Sequence, residues 1–193
     1  MGAAWPDDTT YGGWYSLHNG FGLTEVALSD GARVLTMATR AATTDGETYS
    51  SLVRTTRSFG DADFTVNVQT PAQLRSPVPN PWEVAWVLWR YTDNHHFYSF
   101  IVKPDGWELA KQDAAYPGFQ RFLAYSYASS FPIGRTYRVR VRQAADTITV
   151  WVDGARLVRF TDREHQYRFG SIALYAEDSA VRYSPLELRP VRG

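Results

Sequence analysis

The chain has no cysteine in 193 residues. That one absence removes disulfide bridges, thiolate zinc ligands and cysteine nucleophiles, while leaving the compartment undetermined. No apolar run approaches the roughly eighteen residues that a membrane-spanning helix needs. The N-terminus lacks the basic and apolar regions of a signal peptide. Met1-Gly2 ahead of Ala3-Ala4-Trp5-Pro6 looks instead like a start added behind a signal cleavage point, which points to an extracellular origin, with a native cytosolic start as the alternative. An excess of charge of one sign is also missing: 20 Lys and Arg face 20 Asp and Glu. Attraction to nucleic acid or an anionic membrane needs a basic surplus, so neither is an expected partner. A glycan is, and the chain is expected to be a monomer. There is no Gly-rich phosphate loop, and no histidine pair has zinc spacing with a third ligand.

What the chain does have is aromatic side chains, 15% of the total, with seven Trp and twelve Tyr. They sit in short β-branched or aromatic segments that mostly alternate with polar residues: 33–39, 48–55, 64–70, 83–91, 96–103, 107–112, 137–143, 147–153, 157–160, 171–176 and 181–188. Turn chemistry separates many of them, including Asp30-Gly31, Asp45-Gly46, Pro104-Asp105-Gly106 and Asp153-Gly154. Strands at this spacing, with no helical period between them, predict an all-β fold, a sandwich or a barrel, in one domain over residues 1–193. Two long stretches, 71–81 and 114–134, read as irregular loops flanking a three-strand meander.

That meander, from Trp82 to Asp113, carries the candidate chemistry. If Asp93-Asn94 is a two-residue turn, the period of two puts Glu83, Trp89, Tyr91, His96, Tyr98 and Phe100 on one face. Trp82, Trp86, Leu88, Arg90, Phe97, Ser99 and Ile101 take the other, which then reads as the core. On the first face Trp89, Tyr91 and Tyr98 offer flat platforms for a sugar ring. His96 and Tyr98 side by side could relay a proton, Lys111 could stabilise developing negative charge, and Glu83 supplies a carboxylate. Each of these residue types also serves as ordinary strand packing. Arg138, Arg140 and Arg142 alternate along one strand beside Trp151, a guanidinium ladder suited to carboxylate or sulfate groups, or a solvated face.

The order of segments resembles the concanavalin A-like lectin/glucanase superfamily. The residues that carry the likeness are Tyr49 to Arg54 followed by Phe59 to Val66, the run His96-Phe97-Tyr98-Ser99-Phe100 to Pro104-Asp105-Gly106-Trp107-Glu108-Leu109, Ile148 to Gly154, and Gly170 to Ala176 with Val181-Arg182-Tyr183. The middle run is similar to 3-keto-disaccharide hydrolase-type domains and family 16 glycoside hydrolases. The resemblance implies a two-sheet antiparallel jelly-roll sandwich whose concave face holds a carbohydrate, and it would place the arginine ladder in the same groove as His96. It also implies no cofactor beyond a structural calcium ion, for which Asp30 and Asp178 are the candidate ligands, with Asp61 a further oxygen donor. Family 16 hydrolases carry E-x-D-x-E on the strand matched by His96 to Phe100. Here the alternation gives His96, Tyr98 and Phe100, so that retaining mechanism cannot run on this strand. The expected function is binding and cleavage of a glycosidic bond, by hydrolysis or by elimination. The alternatives are a non-catalytic carbohydrate-binding module or lectin, and a structural or protein-binding sandwich.

Overall fold

A computed structural model describes residues 4–29 and 31–191. Asp30 and the Met1-Gly2 start, on which two of the expectations above rest, lie outside these residues. No helix occurs among the described residues. The strands are β1 (Thr9–Tyr11), β2 (Trp14–His18), β3 (Leu23–Ser29), β4 (Ala32–Ala38), β5 (Ser50–Phe59), β6 (Ala62–Gln73), β7 (Ala85–Asp93) and β8 (His96–Lys103). They continue as β9 (Gly106–Asp113), β10 (Gln120–Ser126), β11 (Thr136–Ala144), β12 (Thr147–Val152), β13 (Ala155–Thr161), β14 (Gly170–Glu177), β15 (Ser179–Tyr183) and β16 (Glu187–Arg189).

Two antiparallel sheets pack face to face as a sandwich. The front sheet runs β1-β2-β5-β14-β7-β8-β9-β10, and the back sheet runs β13-β12-β11-β6-β15-β4-β3, with β16 also pairing β6. Alternate residues of each sheet meet between them. Val53, Val87, Trp89, Tyr98, Phe100, Leu109, Ile172 and Leu174 come from the front, and Phe64, Val66, Val139, Val141, Ile148, Val150 and Tyr183 from the back. The residues in between on the front sheet form a second, smaller apolar cluster on its open face. It comprises Leu52, Leu88, Tyr91 and Ala173, with Leu17, Trp86, Phe97 and Tyr175 packed against it.

This corrects the face assignment of the meander. Trp89 pairs with Tyr98 as expected, but both point into the sandwich, and Trp86, Leu88 and Phe97 point out. The turn falls one residue later than expected, with Asp93 opposite His96, because β7 bulges between Trp89 and Asp93. Arg90, at φ 49°, sits at the bulge and turns inward, donating to the Gly60, Ala145 and Tyr167 carbonyls and to Asp61. Tyr91 is thereby re-aimed onto the open face, a common use of a bulge. Gly170 makes room for it, since a Cβ there would lie 2.3 Å from the Arg90 carbonyl carbon.

Candidate functional site

The open face of the front sheet holds a pocket of about 300 Å³. Because one side chain in two along each strand points the same way, the pairings define rows across the sheet. One row reads His18, Leu52, Tyr175, Trp86, Ile101, Glu108 and Tyr125. The next reads Tyr15, Arg54, Ala173, Leu88, Ser99, Ala110 and Phe122. Trp86, Leu88, Phe97 and Tyr175 make an apolar floor, and Trp86 meets Tyr175 edge-on at 5.5 Å between ring centroids. Polar groups rim it: His18, Ser50, Asn94, Gln112, Gln120 and Glu177. An apolar base with a few polar groups at its edge is the usual make-up of a small-ligand site.

His18 and Glu177, two of the titratable groups of the pocket, are both shifted toward their neutral forms. Burial raises the pKa of Glu177 above the ordinary carboxylate value, and the nearby Asp178 and Glu83 charges add to this. Tyr175 Oη and Trp82 Nε1 donate to its oxygens at 2.7 and 3.2 Å, which opposes the shift without reversing it. His18 is half-buried, and burial lowers its pKa against the pull of Asp7 and Asp8. Its Nε2 lies 3.2 Å from Ser50 Oγ, and Ser50 is the register partner of Glu177. His18 is on β2 and Glu177 on β14, with β5 between them, so their backbones are two strand spacings apart, about 10 Å. That gap is wide enough for a ligand to lie between the imidazole and the carboxyl.

Of the residues expected from sequence, Tyr91 belongs to this pocket. Its hydroxyl donates to Asn94 Oδ1 at 2.7 Å, its ring stacks on Phe97, and burial, helped by the Asp93 charge, pushes its pKa up to about 12. The others are corrected. Trp89 is buried between the sheets, with Nε1 donating to Gln143 Oε1 at 2.5 Å. Tyr98 and Lys111 are cross-strand partners with no exposure, and both point inward. Tyr98 Oη donates to Asp162 Oδ2 at 2.6 Å, while Lys111 Nζ donates to the same oxygen and to the carbonyls of Glu164 and His165. Burial alone would raise the Asp162 pKa, but the bonds from Tyr98, the Glu164 amide and Lys111 together hold it below the usual carboxylate value. This cluster fastens the 162–167 segment to the front sheet and gives no ligand access to Lys111. His96 lies at the hairpin end, its Nδ1 2.8 Å from Asp93 Oδ1 and its ring edge-on to Tyr167, outside the pocket.

Glu83 is fully buried and paired with Arg75, whose guanidinium also meets Asp178 at 2.7 Å. Glu83, Glu177 and Asp178 are the only group among the described residues whose carboxylates converge as metal ligands could, within 4.8 Å of one another. Arg75 already supplies the opposing charge to two of them, and Asp178 also accepts the Tyr49 amide. A calcium ion among these three carboxylates would have to displace that guanidinium, so this donor set does not fit a calcium ion.

The arginine ladder is on the other side of the molecule. Its strand, β11, belongs to the back sheet, so Arg138, Arg140 and Arg142 do not share a groove with His96 or with the pocket. Arg138 makes a two-pronged pair with Glu187, and Arg140 does the same with Asp63 while lying over the Trp151 ring.

A family model described as "3-keto-alpha-glucoside-1,2-lyase-like domain" matches residues 4–189. Sequence comparison with curated proteins finds no significant match. Among solved structures, the carbohydrate-binding module CBM66 from Bacillus subtilis is similar with a TM-score of 0.67 at 13% identity, covering 92% of this chain and 96% of that one. A family 16 endo-glucanase from Bacteroides ovatus is similar with a TM-score of 0.61 at 9% identity, covering 91% and 94%. A Bacillus subtilis protein with a galectin-like fold is similar with a TM-score of 0.60 at 12% identity, covering 98% of each. At these identities the likeness is one of fold, a carbohydrate-related jelly roll shared by hydrolases and binding modules.

Proposed function

The chain belongs to the family of 3-keto-alpha-glucoside-1,2-lyase-like domains, and from that premise we propose that its front-sheet pocket binds an α-glucoside and breaks the glycosidic bond by elimination. The observation that carries this is the placement of an imidazole, His18, and a carboxyl, Glu177, in one pocket above an apolar floor of Trp86, Leu88, Phe97 and Tyr175, with burial favouring the neutral form of each. In a 3-keto-glucoside the C3 carbonyl acidifies the hydrogen on C2. His18 takes that proton, and the C–H electron pair becomes the C1=C2 double bond. The bond from C1 to the glycosidic oxygen breaks, and Glu177 protonates the departing oxygen. The step consumes the neutral form of each group, which burial favours in both, and no oxidant or reductant is needed. Trp86 and Tyr175 hold the apolar face of the ring, and Gln112, Gln120 and Asn94 provide hydrogen bonds at its edge.

Incubation with methyl 3-keto-α-glucoside tests this, following methanol release and the absorbance of the unsaturated ketone. Glu177→Gln and His18→Ala should each lower turnover about a hundredfold or more, the usual scale for a general acid or base. Turnover indifferent to both substitutions would refute the assignment. A second reading, binding without cleavage, draws on the open-face residues of β8. They are Phe97, Ser99 and Ile101, so the strand presents no carboxylate pair for hydrolysis. Saturable binding with no product over long incubation would establish it.

A further inference from the structure

The pocket is not the end of the aromatic surface. β10 is the edge strand of the front sheet, and Phe122, Tyr125 and Tyr127 on and just beyond it are 51%, 58% and 62% exposed. Large aromatic side chains clustered in the open mark an interaction surface more often than chance. In a regular strand Phe122 and Tyr125, three residues apart, would face opposite ways. The register shifts between Phe122 and Ala124, so Phe122 pairs with Ala110 and Tyr125 with Glu108, and both rings come to the open face. Leu123, the residue at the shift, packs against the core. The rings lie 6.4 Å apart and steeply inclined, and Tyr127 continues the cluster 5.4 Å from Tyr125.

This cluster is continuous with the pocket. Gln120, a pocket residue, is two positions before Phe122 on the same face. Between the pocket floor and Phe122 the row is Leu88, Ser99, Ala110, and the small side chains of the last two leave a shallow trough. Four strand spacings separate β14 from β10, about 19 Å, which exceeds one sugar ring. Polar groups meet the platform at the Tyr125 end: Lys103 pairs with Glu108 at 3.1 Å and sits 4.7 Å from the centre of the Tyr127 ring. The edge is held in place by Gly106, where any Cβ would come within 2.0 Å of the Ser126 carbonyl oxygen.

We propose that Phe122 and Tyr125 form a second carbohydrate platform, so that the protein takes α-linked gluco-oligosaccharides with one ring in the pocket and the next on β10. This rests on the pocket reading above and adds the chain length of the ligand. The test is titration calorimetry with the 3-keto forms of methyl α-glucoside, maltose and maltotriose, in a Glu177→Gln background to suppress turnover. The second ring should tighten binding about three- to tenfold. Phe122→Ala with Tyr125→Ala should abolish that increment, whereas Tyr125→Trp, which keeps a flat ring, should retain it. An increment that is absent in the parent, or that survives the double alanine substitution, overturns the proposal while the pocket reading stands. Failure of every ligand to bind overturns the pocket reading itself and this inference with it. Self-association that the double substitution abolishes would assign the patch to a second copy of the chain and likewise overturn the proposal.

Discussion

Tryptophans 86 and 89 are three residues apart on one strand, and they separate binding from packing. Trp86 is on the open face, and Trp89 is buried against Tyr98 at 5.8 Å between ring centroids. Trp86→Ala should therefore weaken ligand binding about tenfold with a modest change in melting temperature. Trp89→Ala should cost about 3–5 kcal/mol of stability, measured by urea denaturation. A pH–rate profile provides a second check. Because burial lowers the His18 pKa below 6.5, its acid limb should fall below that pH. Because burial raises the Glu177 pKa above 4.5, its alkaline limb should fall above that pH. The product is a bell whose alkaline limb disappears in Glu177→Gln. Of these residues, Tyr91 was legible in the sequence and Glu177 nearly so, since it extends the alternation of Ala173 and Tyr175 by one step. His18 was not, because Trp14 to His18 lacks the run of β-branched residues that marks the other strands. Tyr98 and Lys111 misled for a physical reason: their partner Asp162 is 51 residues beyond Lys111, and only the fold shows that these polar groups satisfy one another.

At the scale of single elements, the three strands of the meander, and β11, β12 and β14 with them, were foreseeable from alternation and turn residues. Most of the losses were at or next to the sheet edges. β1, β2 and β3 were not anticipated, β10 lies inside a stretch that reads as a loop, and the segment 181–188 divides into β15 and β16. Edge strands are partly solvated on both faces and so lack a clean apolar alternation, which explains why β10 was invisible. The bulge in β7 was invisible for another reason, since nothing local to Trp89 and Arg90 announces it and its space comes from Gly170 on β14. Gly170→Ala should cost about 1–3 kcal/mol by overpacking and also weaken binding, because Tyr91 depends on the bulge for its orientation. Lys111→Met should cost about 3–5 kcal/mol, measured by denaturant unfolding, since it strands the Asp162 carboxylate in the interior. The Asp162 contribution has a defined pH window. Its folded pKa is depressed, so the stabilisation is present above the unfolded value of about 4 and is lost as pH falls toward the folded one.

For the whole molecule, the sandwich separates two aromatic and polar faces that the sequence could not tell apart. Both carry an indole beside ionisable groups: Trp86 near Glu177 and His18 in front, Trp151 under Arg140 behind. The fold was legible because eleven alternating segments admit few arrangements, whereas the choice of face depends on which side of each sheet meets the other. The central claim is that the carbohydrate site is the front-sheet pocket. The most direct test is a pair of calorimetric titrations with methyl 3-keto-α-glucoside in the Glu177→Gln background, one on Trp86→Ala and one on Trp151→Ala. The account predicts about a tenfold loss of affinity for Trp86→Ala and an unchanged affinity for Trp151→Ala. Loss in Trp151→Ala with Trp86→Ala unaffected would contradict it.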